Sequence, residues 1–354
     1  MTLLYILLAI VLLGVLIMAH EFGHFTAARL CGIAVKEFSI GFGPKLLQRK
    51  SKKHETVFTL RPIPLGGYCM FYGDTDDDPN GEAKNDPRNL NNAAVWKRIL
   101  TVLAGPLMNV LLAFVVAIPL MAFYGSNLDT PFISAVDDGK PAQIAGLQAG
   151  DVFVSVNGVP VKEESVENVS AAIGKSAEGA PIELVVARNS EELAFTIEPF
   201  YSEADQRYLI GITMQQGVQP LKPSEVVPAA WDACVWASGA VLDGIRQLFT
   251  TADGVNQISG PVGTVQLVAQ QTQQGGMRIF LYLVVLISIN LGLMNLLPIP
   301  GLDGSRILFL IVEGVRRKPV NQRVEATIHL CGYAFLLAFM LYFTFKDVLR
   351  IFGA

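Results

Sequence analysis

Four stretches of the chain stay apolar over roughly the 20 residues that a helix needs to cross a hydrocarbon layer. They are Met1 to about Ala19, about Ile99 to Tyr124, Ile279 to about Val315, and about Ala326 to Phe345. In lipid each backbone polar group must be paired within the structure, so runs of this length read as spanning helices. The third run is unusually long and is interrupted by Pro298, Pro300 and Gly301. Only 16% of residues are charged, against about 25% in soluble domains, which fits a membrane protein. The net charge of −4 excludes a strongly basic nucleic-acid binder. The cysteines Cys31, Cys69, Cys234 and Cys331 are scattered, so no disulfide framework is expected. A cleavable signal peptide carries positive charge ahead of its apolar core. Nothing basic precedes Arg29, so the first stretch reads as a retained helix.

The loops set an orientation. Twelve lysines and arginines lie between Arg29 and Arg98, and Arg316, Arg317, Lys318 and Arg323 follow the third span. The segment from Gly125 to Gly276 holds eighteen acids and seven bases. By the positive-inside rule both basic loops are cytoplasmic, and the N-terminus and the acidic segment lie outside.

Within that outer segment, strand-like runs at Phe132–Val136, Val152–Val156, Ile182–Ala187 and Ala194–Ile197 flank a helical stretch near Ser165–Ile173. These predict a compact domain over 127–218. The string Ala145–Val161 resembles the core of a PDZ domain, with turns at Gly146 and Gly150 and a tight turn at Asn157-Gly158.

The chemistry starts at His20-Glu21-Phe22-Gly23-His24, an H-E-x-x-H string on a predicted helix. Residues four apart share a helix face, so both imidazoles can reach one zinc ion. Glu21 is offset by about 100°, which places its carboxylate to act on a water activated by the metal rather than on the metal itself. Ionisable groups in an apolar helix are expensive and mark function.

A zinc peptidase needs a third protein ligand and an open position for water. His54 sits in a basic stretch and reads as solvated. His329 lies in the fourth span, where a packed neutral imidazole is the commoner fate. Asp303 is the better candidate, because a carboxylate after the Pro298–Gly301 break needs a partner at membrane depth. The same residue also fits as N-cap of a helix beginning near Ser305. Asn290 and Asn295 are unusual in hydrocarbon, where their amides can bond an extended peptide or a neighbouring helix.

With HEFGH in the first span and NLLPIPGLDG (Asn295–Gly304) in the third, the chain resembles the site-2 proteases, zinc metalloproteases that cut within the membrane. Within that family it resembles the bacterial regulator of sigma-E protease group. Pro64-Leu65-Gly66-Gly67-Tyr68, Ala104-Gly105-Pro106-Leu107-Met108-Asn109 and Gly260-Pro261-Val262-Gly263 also match, so the resemblance covers nearly the whole chain. It implies one Zn2+ per chain held by His20, His24 and Asp303, with Glu21 as general base. It further implies substrate contacts at Asn290, Asn295, Gly66 and Gly67, and a re-entrant hairpin over Val57–Tyr72.

The implied fold is membrane α-helical, with four transmembrane helices, that re-entrant β-hairpin and one extracytoplasmic α+β PDZ domain. Its parts are a first span over 1–30, a cytoplasmic loop with the hairpin over 31–92, and a second span over 93–125. The domain at 127–218 and a helical linker at 219–277 follow, with the linker helix expected over Pro228–Phe249. The broken third span covers 278–315, a cytoplasmic loop 316–325 and the fourth span 326–347. Members of the enterobacterial type carry two PDZ domains, and this chain has room for one. The implied setting is a bacterial plasma membrane, the substrates single-span membrane proteins such as anti-sigma factors or remnant signal peptides. An upstream site-1 protease would act first, and nucleic acid has no part. A silent PDZ scaffold would not need Glu21, and a transporter would show an inverted hydropathy repeat.

Overall fold

The computed structural model describes residues 3–52, 55–73, 86–161, 166–174, 180–188, 191–203, 207–219, 221–250 and 260–352. His54 and Ser165, both part of the sequence reading, lie outside these. In chain order the helices are α1 (Leu3–Cys31), α2 (Val95–Tyr124), α3 (Pro141–Ile144), α4 (Val166–Gly174), α5 (Pro223–Thr250), α6 (Pro261–Leu296), α7 (Asp303–Arg316) and α8 (Gln322–Phe352). The chain divides into two compact units, Met1–Leu120 with Val227–Ala354, and Met121–Val226.

In the first unit α1, α2, α6 and most of α8 are long and apolar enough to cross a membrane. Ala9, Leu12 and Leu16 of α1 are buried against Val268, Leu283 and Val284 of α6. Two boundaries differ from expectation. The linker helix begins at Pro223 rather than Pro228: the Glu225 carboxylate accepts the Lys222 backbone N–H, Pro223 suits the first helical position, and Pro228 lies inside the helix. Residues 261–275, expected to be linker, are helical and run into the third span with a turn at Gly276 (φ 63°, ψ −154°), a conformation that glycine adopts cheaply. That arm starts at Pro261, which suits a first helical position, and the buried Asp347 of α8 accepts the Gly263 N–H at 2.7 Å.

A four-stranded sheet joins this unit: β1 (Val35–Phe42), β2 (Leu47–Lys50), β3 (Val57–Leu60) and β4 (Ile63–Phe71), in the order β2-β3-β1-β4. This corrects the expected hairpin over Val57–Tyr72. β3 and β4 do not pair with each other; β1 lies between them, parallel to β3 and antiparallel to β4. Arg61, at the crossing, explains the routing. Its backbone N–H donates to Ile40 O, and its guanidinium donates to Ser39, Tyr68 and Glu37. Among the described residues β4 is an edge strand.

The second unit is built on a sheet ordered β12-β5-β6-β8-β9. Its strands are β5 (Ser126–Val136), β6 (Val152–Val156), β7 (Val159–Pro160), β8 (Ile182–Arg188), β9 (Glu191–Ile197), β10 (Phe200–Ser202), β11 (Arg207–Leu209) and β12 (Ile212–Gln219). β10 and β11 form a separate pair, and β7 pairs with β6. The β6–β7 connection is Asn157-Gly158, both at positive φ (51° and 75°), as a two-residue primed turn requires. Ile133, Phe153, Val156, Ile182, Leu184, Val186 and Ile197 form the core, each side chain worth about 1.5–3 kcal/mol of burial.

Asp151, just before β6, is buried and takes a two-pronged contact from Arg188 at 2.6 and 2.7 Å, plus the Gln148 N–H at 2.9 Å. Burial pushes its carboxyl up, but the guanidinium and the amide outweigh that and hold it below the usual range. Its contribution is therefore complete above the unfolded value of about 3.9 and is lost as pH falls through the lower folded value. Arg188→Met is expected to invert this dependence, since the unpaired buried carboxylate is relieved by protonation. Hydrogen exchange across β6 and β8 checks it: protection falling roughly tenfold at pH 7 and recovering on mild acidification. Unchanged protection would show the pair to be dispensable.

Candidate metal centre

His20 and His24 lie on the buried face of α1. That face packs against α2 at unusually short range, because Gly23 and Gly105 lack side chains. A Cβ at Gly23 would strike the Ala104 carbonyl, and one at Gly105 would strike the ring of His24 and lie 2.9 Å from His20 Nε2. Asp303 arrives from the far side. The break after α6 ends in Leu302, which caps α7 without a side-chain hydrogen bond. Asp303 is thus the first helical residue, and the N-cap role expected of it belongs to Leu302. Its negative charge suits the positive end of the α7 dipole. Gly304 allows this, since a Cβ there would collide with the Leu296 and Leu297 carbonyls.

Three donor atoms converge. His20 Nε2 and His24 Nε2 are 3.1 Å apart, and Asp303 Oδ2 lies 3.0 and 3.2 Å from them. Oδ2 is buried, yet has no partner aligned for a hydrogen bond. Ligands of a tetrahedral zinc ion at about 2.0–2.1 Å stand a little over 3 Å apart, so this triangle of two imidazole nitrogens and one carboxylate oxygen fits such an ion. Glu21 stays off the triangle. It faces β4, where the Cys69 backbone N–H hydrogen-bonds its carboxylate, and the Cβ position of Gly67 is 3.8 Å from its Cγ.

The remaining candidates scatter. Gly66 faces the Phe42 ring rather than Glu21. Asn290 is exposed on α6 and Asn295 half-buried, about 140° apart around the helix. His329 is not among the converging groups: its Nδ1 accepts the Gly301 N–H at 3.3 Å, which steadies the loop before Asp303. Three residues to which the sequence reading gave no role line the site from α2. Thr101 O accepts His24 Nδ1–H at 2.9 Å, Asn109 lies beside His20, and Gly105 lies under both rings. Their four-residue spacing, equal to that of the histidines, was the available signal.

Two histidines, one aspartate and an adjacent glutamate, gathered by apolar helices, define a metal-dependent hydrolase site set in a membrane protein. Residues 8–339 match the model of peptidase family M50, and the chain belongs to that family. A protein from Mesorhizobium japonicum named as a zinc metalloprotease is 35% identical, with 95% of this chain and 96% of that one aligned. The regulator of sigma-W protease RasP of Bacillus subtilis is 29% identical over 97% of this chain and 98% of its own. Among solved structures, the PDZ domain of an SdrC-like protein from Listeria monocytogenes aligns with 25% of this chain and 90% of its own, at 21% identity and a TM-score of 0.23. The chain is a multi-pass intramembrane zinc metalloprotease.

Proposed function

We propose that this protein hydrolyses peptide bonds inside the transmembrane segments of single-span membrane proteins, with one Zn2+ held by His20, His24 and Asp303. The observation that carries the reading is the Nε2–Nε2–Oδ2 triangle with Glu21 beside it. Zinc, when bound there, supplies Lewis acidity and brings the pKa of a coordinated water down to about 7. Glu21 takes the proton of the attacking water and passes it to the leaving amine. A helical substrate hides its scissile bond, so it must unwind first. β4, an edge strand among the described residues, offers the unwound stretch a strand to pair with, and Gly67 brings that strand close to Glu21. Asn290 and Asn295 would hold the substrate backbone, and Gly66 would shape the strand next to Phe42.

The loops between the first and second spans and between the third and fourth face the cytoplasm in this reading, on the charge distribution. The 121–226 unit lies outside as a PDZ domain, a reading supported by its Ala145–Val161 string. There it screens out substrates whose outer domain an upstream protease has not removed, or binds their new C-terminus. The relationship to RasP supports anti-sigma factors as one substrate class, and remnant signal peptides are a second.

The test is cleavage of a tagged single-span substrate by the purified protein in detergent. A zinc chelator is expected to stop cleavage, and added zinc to restore it. Asp303→Asn, which removes a charged ligand, is expected to lower zinc content and cleavage together, the rate by at least about 100-fold. Chelator-resistant cleavage would overturn the zinc mechanism, and full zinc content in Asp303→Asn would remove Asp303 from the ligand set.

A further inference from the structure

Thr101, Gly105 and Asn109 recur every four residues along α2 and therefore share one face, the face turned to His20 and His24. Each histidine must present an unprotonated Nε2 to the metal, so each Nδ1 must carry its proton and needs an acceptor. For His24 that acceptor is Thr101 O at 2.9 Å, which can only accept. At the other ring, His20 Nδ1 lies 3.4 Å from the Asn109 side-chain nitrogen, while Asn109 Oδ1 is buried with no partner. The residue itself is fully buried.

A carboxamide can be turned over with little change of shape, exchanging its oxygen and nitrogen. With the nitrogen toward the ring, His20 Nδ1 must accept, which moves the imidazole proton to Nε2 and blocks metal binding. With Oδ1 toward the ring, Nδ1–H donates and the Nε2 lone pair is free. The backbone that carries this amide is anchored, since Ser288 of α6 donates to the Asn109 carbonyl at 2.8 Å.

We propose that Asn109 is a positioning residue whose Oδ1 accepts the Nδ1–H of His20, so that α2 sets the tautomer of both histidine ligands. Thr101 acts through its backbone and Asn109 through its side chain. The inference rests on the zinc-site reading above, and one titration separates the two. Zinc affinity of the full-length protein in detergent is measured by competition with a chromophoric chelator. Absence of zinc binding by the wild type would sink the site itself.

Given binding, Asn109→Leu, similar in size and without an acceptor, is expected to bind zinc roughly 10- to 100-fold more weakly. Asn109→Asp keeps an acceptor at the same position and is expected to bind more tightly than Asn109→Leu. Wild-type affinity in Asn109→Leu would overturn the proposal. So would Asn109→Asp binding no better than Asn109→Leu, whether through misfolding or weak affinity, because the side chain would then serve packing alone.

Discussion

Glu21→Gln is expected to abolish cleavage while leaving zinc bound. Glutamine matches glutamate in shape, and its carbonyl oxygen can still accept the Cys69 N–H that the carboxylate accepts in the wild type. Glu21 contributes no atom to the triangle of His20, His24 and Asp303, so metal content should hold at the wild-type level. What disappears is the group able to take a proton, and general-base catalysis is worth roughly 10²–10⁴ in rate. Cleavage of a tagged single-span substrate, measured beside zinc content, reads both quantities. A variant that still cleaves near the wild-type rate would remove Glu21 from the mechanism. One that loses its zinc would make it a ligand.

Gly105→Ala tests the other side of the site, with two effects of opposite sign. In the middle of a helix alanine is favoured over glycine by about 1 kcal/mol, so α2 itself should gain. The new methyl group, however, falls on the His24 ring and 2.9 Å from His20 Nε2. The imidazoles must move or the helices must part, and either displaces two donors at once. Zinc content is expected to drop below roughly a tenth of wild type while the helical circular dichroism stays intact. Full zinc occupancy in this variant would mean that α1 and α2 are not as close as the structure places them.

The parts of this architecture that follow from local pattern were legible in the sequence. Apolar length marked the spans, the strand-like run Val152–Val156 marked β6, Asn157-Gly158 marked the turn after it, and the His20–His24 spacing marked one face of α1. Approach between distant segments was not legible. The Val35–Phe42 strand lies between β3 and β4 because of the Arg61 cluster with Glu37, Ser39 and Tyr68, contacts that no short-range rule encodes. The helical arm at 261–275 is capped by Asp347, eighty-four residues later. Thr101, Gly105 and Asn109 became functional candidates once α2 was seen against the histidine face of α1. The glycine matters through the side chain it lacks.

The separation of the donors along the chain bears on how the protein is made. His20 and His24 belong to α1, their α2 neighbours come more than seventy residues later, and Asp303 opens α7. During synthesis the first span enters the bilayer with its two histidines long before Asp303 has been translated. A growing chain thus lacks the third donor of the triangle until α7 has been made.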